Sequence, residues 1–71
     1  MNYEDYIKVD PEIRHGRPCL KGTDIAVYDV LERVSRGMSY AEIQNEFPKL
    51  DEKSIEACLA FAKEHNPIWN N

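Results

Sequence analysis

The stretch RGMSYAEIQNEFPKLDEKSIEACLAF, Arg36 to Phe61, reads as two short helices meeting at a turn. Ser39 followed by Glu42 is a capping box. Its hydroxyl accepts from a backbone N–H one turn on, and its carboxylate reaches back to the N-cap N–H, so two donors that a helix start leaves unpaired are met. Tyr40, Ile43 and Phe47 give this helix an inner face, and Pro48 ends it, because the residue before a proline is pushed out of the α region. After the turn Pro48-Lys49-Leu50, Asp51 caps a further helix expected to run to about His65, with Asn66-Pro67 as its stop. Ile55, Cys58, Leu59 and Ala62 fall at i, i+3, i+4 and i+7 and form its apolar stripe.

Toward the N-terminus, Val27, Val30, Leu31 and Val34 repeat that spacing and predict a first helix over 27–36. Asp29 with Arg33 and Glu32 with Arg36 are acid-then-base pairs at i, i+4, the favourable order, and Gly37 supplies the stop. Ahead of Val27 the pattern changes. Ile7-Lys8-Val9 alternates like a short strand and ends at the turn-forming Asp10-Pro11. Gly16 and Gly22 bracket Pro18-Cys19-Leu20-Lys21, the layout of a second short strand between two turns. Pro18 has no N–H to donate, so this strand is expected at an edge or to begin there. The fold class is therefore mainly α with a small N-terminal β element. It divides into a strand-and-turn arm over 1–26, a three-helix core over 27–66 and a tail over 67–71, all one domain. A trihelical helix-turn-helix fits this pattern, as do other small bundles.

At 71 residues the chain is a single domain that buries only about 60% of its unfolded surface, so a homodimer is a natural way to bury more. Membrane-spanning length is absent from its apolar runs, the N-terminus lacks the layout of a signal peptide, and two cysteines are too few for a secreted disulfide framework. A cytoplasmic protein is expected. Cys58 and His65 are separated by about 10 Å of helix rise and no ligand pair has zinc-finger spacing, so neither a metal nor a cofactor is expected. Cys58 falls in an apolar stripe, and no phosphate-binding glycine loop or nucleophile elbow occurs, so the chain reads as not an enzyme. Nine Lys and Arg against thirteen Asp and Glu leave a net charge of −4. The acid is concentrated late: residues 38–71 carry three bases and six acids, −3 of the total.

Asp10-Pro11-x-Ile13-x-x-Gly16-x-Pro18-Cys19-Leu20-Lys21-Gly22-Thr23-x-Ile25-x-Val27 is followed by Gly37-Met38-Ser39-x-x-Glu42-Ile43, by Phe47-Pro48-x-Leu50, and by Ile55-x-Ala57-x-Leu59-x-Phe61-Ala62. In this order the motifs resemble the domain of unknown function 433 family, over about residues 7 to 63. The resemblance implies a homeodomain-like helix-turn-helix preceded by a small β element, and a role akin to VapB-type antitoxins. Such proteins bind their own operator DNA as dimers and neutralise a ribonuclease toxin, commonly of PIN type. Where that family usually has Arg after Gly-Thr, this chain has Asp24, so the cation that the resemblance implies at that corner is missing here.

Candidate nucleic-acid contacts are Arg14, Arg17, Lys21 and Thr23 in the turn region, Ser39 at a helix start, Lys49 in the interhelical turn, and Lys53 and Ser54 at the start of the last helix. A solvated hairpin surface and a solvated helix face account for the same residues. Lys53, Glu56, Ala60, Lys63 and Glu64 turn away from the last helix's stripe, so an acidic face there is expected to meet a basic protein, a ribonuclease toxin or another. Ala57, Phe61 and Trp69 are candidate partner contacts, or alternatively the rim of the core. Ile7, Val9, Cys19 and Leu20 are candidate dimer residues. Two functions are thus in play: a DNA-binding antitoxin-like regulator, or a protein-binding adaptor that keeps the helix-turn-helix frame without DNA affinity.

Overall fold

Local signals shape the helices. In a computed structural model, which describes residues 2–65, α1 spans Val27–Ser35, α2 spans Tyr40–Glu46 and α3 spans Glu52–His65. Val27, Val30 and Leu31 are fully buried, as their spacing requires, and Val34 is half-buried. α1 ends in a Schellman motif. The Gly37 N–H donates to the Val34 carbonyl at 2.9 Å and the Met38 N–H to the Arg33 carbonyl at 3.3 Å, with Gly37 at φ 83°. The capping box opens α2: Ser39 Oγ accepts from the Glu42 N–H at 3.1 Å, and the Ser39 N–H donates to Glu42 Oε1 at 2.8 Å. Asp51 Oδ1 accepts from the Ser54 N–H at 2.8 Å and caps α3. Leu50 inserts into the core from the turn between α2 and α3.

One expected ion pair is exchanged for tertiary ones. Glu32 and Arg36 do pair. Asp29 and Arg33 do not pair through their side chains: Asp29 faces Arg14 of the turn region at 3.4 Å, and Arg33 Nε donates to both carboxylate oxygens of Glu46, at 3.2 and 3.0 Å. The Arg33 guanidinium also lies 5.1 Å from the centre of the Phe47 ring. Arg33 therefore ties α1 to the end of α2, because α2 packs beside it and offers both an acid and an aromatic face.

The β element is antiparallel: β1 (Ile7–Lys8) pairs with β2 (Cys19–Leu20), Ile7 opposite Leu20 and Lys8 opposite Cys19. β2 begins directly after Pro18, but it is not an edge. On its other flank the Leu20 N–H donates to the Ile25 carbonyl at 3.0 Å, and the Val27 N–H donates to the Pro18 carbonyl at 2.9 Å, with a bridge between Cys19 and Ala26. The chain entering α1 thus occupies the side expected to be free.

Residues 1–26, the strand-and-turn arm, pack onto the helices. Ile7 and Leu20 join the core made by α1, Ile43, Leu50 and α3. A 3-10 turn at Tyr3–Asp5, capped by Asn2, lies against α3. Tyr3 meets Phe61 edge to face at 5.6 Å, and its hydroxyl is 2.6 Å from His65 Nε2. Covered by α1 on one side and this turn on the other, α3 buries more than its stripe. Ala57 is 0% exposed and Phe61 8% exposed, whereas Leu59 is only half-buried. Of the two readings open for Ala57 and Phe61, partner contact or rim of the core, their burial within this chain favours the core.

Candidate functional site

Among the expected basic contacts, Arg14 is partly neutralised by its pairing with Asp29. It sits in a second 3-10 turn, Arg14–Gly16, where Arg14, His15 and Gly16 have φ of 51°, 58° and 82°. Two non-glycine residues in the left-handed region persist only when their surroundings hold them. Here Asp10 anchors the segment, its carbonyl accepting from the Ile13 N–H at 3.0 Å and its Oδ1 from the Glu12 N–H at 2.9 Å. Arg17 and Lys21 are exposed and make no ion pair with another described residue.

A cleft of about 400 Å³ opens between the β element and the turn joining α2 to α3. Lys8, Ile13, Gly22, Thr23, Asp24 and Lys49 line it. Strand alternation turns Lys8 outward because Ile7 faces the core. Gly22, at φ 77°, closes the turn after β2, and a side chain built on it would meet nothing within 4 Å, so the backbone there is open to approach. The Thr23 hydroxyl is a clasp. It donates to the Leu20 carbonyl at 2.8 Å and accepts from the Ile25 N–H at 3.0 Å, leaving no proton for a ligand. Neither Lys8 nor Lys49 forms an ion pair with another described residue. Two ammonium groups and one carboxylate give the cleft a formal charge of 2 − 1 = +1 in a chain whose total is −4.

The cleft joins two of the expected contacts, Thr23 and Lys49, across 26 residues of sequence, and adds Lys8, Ile13, Gly22 and Asp24, which were not expected there. It does not include Arg14, Arg17, Lys21, Ser39, Lys53 or Ser54. For Lys8 the alternation of Ile7 and Lys8 was a usable signal; its convergence with Lys49 was not.

The helix starts look less receptive to phosphate than helix polarity alone implies. At α2 the Glu42 carboxylate occupies the Ser39 N–H, and at α3 the Asp51 carboxylate occupies the Ser54 N–H. These backbone donors hold Glu42 and Asp51 below the usual carboxylate range, so negative charge already stands where an incoming phosphate would sit. Ser39 and Ser54 thus serve as capping partners. On the exposed face of α3, Glu52, Glu56 and Glu64 outnumber Lys53 and Lys63, a formal charge of 2 − 3 = −1.

The expected dimer residues divide. Ile7, Cys19 and Leu20 are buried within the protomer, since the strand pair packs on the helices, while Val9 is 61% exposed. Trp69 lies outside the described residues. Both thiols are free and buried, and burial pushes the Cys58 thiol up to about 12, which leaves it protonated and unreactive at neutral pH. Among the described residues no cluster of three His, Cys, Asp or Glu side chains is placed to hold a metal ion, and no helix is long and apolar enough to cross a membrane.

Comparisons place this geometry among known proteins. A family model described as "Protein of unknown function (DUF433)" matches residues 7–62. "Uncharacterized protein y4eO" of Sinorhizobium fredii is 33% identical over 64 residues, which cover 90% of this chain but 28% of that protein's length. A crystal structure described as that of a DUF433 member protein from Anabaena variabilis superimposes with a TM-score of 0.83 at 16% identity, covering 94% of this chain and 66% of that one. At that identity the likeness is one of fold.

Proposed function

The chain belongs to the DUF433 family of proteins of unknown function, and from that premise we propose that it is a DNA-binding, antitoxin-like regulator that also binds and neutralises a ribonuclease toxin. The observation that carries the reading is the positively charged cleft between the β element and the turn of the helix-turn-helix, in a chain that is otherwise acidic. Its charge is local and lies beside the turn just before α3, the helix that such a frame presents to the major groove, where cations position a duplex through its phosphates. Arg17 and Lys21 extend the basic surface. The acidic face of α3 is then turned to a basic toxin, and recognition is divided between two surfaces of opposite sign. The regulator acts in the cytoplasm as a homodimer and catalyses nothing itself; dimerisation is supported by the small core and by the exposed Val9 beside β1.

A second reading is favoured by a specific observation. Carboxylates cap both helices of the helix-turn-helix and the exposed face of α3 is net negative, which suits an adaptor that binds a basic protein and no DNA. Fluorescence anisotropy on duplexes from the chain's own promoter, across a salt series with and without the neighbouring gene's product, separates the two. The regulator binds at low salt with affinity that falls steeply as salt rises. Absence of binding in both conditions leaves the adaptor.

A further inference from the structure

The cleft differs from the rest of the basic surface in that its charges come from separate elements. Lys8 is brought by β1 and Lys49 by the turn before α3, and the turn at Gly22 lines the cleft with them. Its volume, about 400 Å³, falls in the range of ligand sites and exceeds what a bare anion needs. Ile13 supplies an apolar wall. Gly22 lets a ligand reach the backbone, since no side chain stands there and its left-handed φ of 77° resists acquiring one.

The charge count narrows the ligand. Lys8 and Lys49 against Asp24 leave +1, which one monoanion neutralises. A phosphodiester carries a single negative charge, whereas a phosphomonoester carries about −1.5 to −2 at neutral pH and would leave net negative charge beside Asp24. We propose that this cleft is a phosphodiester site, seating one backbone phosphate of a nucleic acid between Lys8 and Lys49 with its sugar against Ile13, and that Asp24 makes it reject free nucleotides. The proposal rests on the DNA-binding reading and assigns that reading its anchoring contact. Thr23, its hydroxyl already committed, holds the turn and does not touch the phosphate.

The test combines anisotropy on a labelled duplex of about 12 base pairs with amide chemical-shift titrations by that duplex and by adenosine monophosphate. Wild-type protein binds the duplex at low salt and shifts the amides of Gly22, Asp24 and Lys49, while adenosine monophosphate at the same concentration shifts none of them. Lys8→Ala and Lys49→Ala each weaken duplex binding about tenfold and lower the salt slope by about one. Lys63→Ala, on α3 and outside the cleft, changes binding less than about twofold. Asp24→Asn raises the cleft charge to +2, strengthens duplex binding and brings adenosine monophosphate into the cleft. All the substituted side chains are exposed, and unchanged thermal unfolding confirms that the variants fold. Duplex binding that survives Lys8→Ala and Lys49→Ala undiminished overturns the site and leaves the DNA-binding reading standing. Nucleotide binding by the wild type without duplex binding overturns both the phosphodiester preference and that reading, and so does silence toward both ligands.

Discussion

Gly37 and His15 both sit in the left-handed region, at φ 83° and 58°, and the contrast between them separates two halves of the chain. At Gly37 the residue suits its position: without a Cβ it adopts that backbone freely and closes α1 in a Schellman motif. Around it, the helical half (27–65) is built of agreeing local choices, with apolar residues at helical spacing, a capping box at Ser39 and a capping aspartate at Asp51. His15 and its neighbour Arg14 have no such excuse. Their turn is held by Asp10, by the Arg14–Asp29 ion pair and by strands of only two residues each, whose flanks lie against the helices. The helical half carries its own instructions; the strand-and-turn half takes its shape from what it packs on. Both halves are acidic, −1 over residues 1–26 and −3 over 27–65, and the +1 cleft lies at the border between them.

The largest expected effect breaks the seam between the halves. Phe61→Ala removes the ring that Tyr3, Tyr28 and His65 all contact, and should cost about 3 kcal/mol in urea unfolding. A loss below about 1 kcal/mol would mean that Phe61 lies at a surface and not in the core. Hydrogen exchange on the same variant should show the amides of residues 2–8 losing protection before those of α1, because Tyr3 is seated on Phe61.

A smaller effect tests whether the helical half is self-instructing. Ser39→Ala removes one side of the capping box and should cost about 1 kcal/mol. The pH dependence carries a sign. Backbone N–H donors hold Glu42 and Asp51 below their ordinary values in the folded state, so their contribution is complete above the unfolded values of about 4.3 and 3.9 and is lost as pH falls through the folded ones. Thermal unfolding of Glu42→Gln should therefore vary less with pH on the acid side than that of the wild type. An unchanged acid slope would show that the box does not persist in solution.

The smallest effect has the opposite direction. His15→Gly relieves a left-handed backbone at an exposed position and should stabilise by about 0.5 kcal/mol, the strain removed being partly offset by the greater freedom of glycine in the unfolded chain. Gly37→Ala should destabilise by a similar amount or more. Equal and same-signed effects at the two positions would erase the distinction between the halves.

The sequence by itself determined the three helices to within a residue at each end, the capping box, the stop at Gly37 and the position of both strands, because each depends on groups no more than about seven residues apart. Its resemblance to a family was legible for the same reason, in short motifs kept in order. The tertiary structure alone decided which surfaces exist. Whether Ala57 and Phe61 face a partner or the core depended on where Tyr3 folds, and whether β2 is an edge depended on the path of the chain into α1. Arg33 chose Glu46 over Asp29 because α2 packs beside α1. Lys8 and Lys49 share a cleft although 41 positions apart in sequence. Spacing along a chain encodes neighbours within one helix or strand, whereas contacts between elements follow from the whole set of apolar faces being buried at once, and no single segment records that outcome.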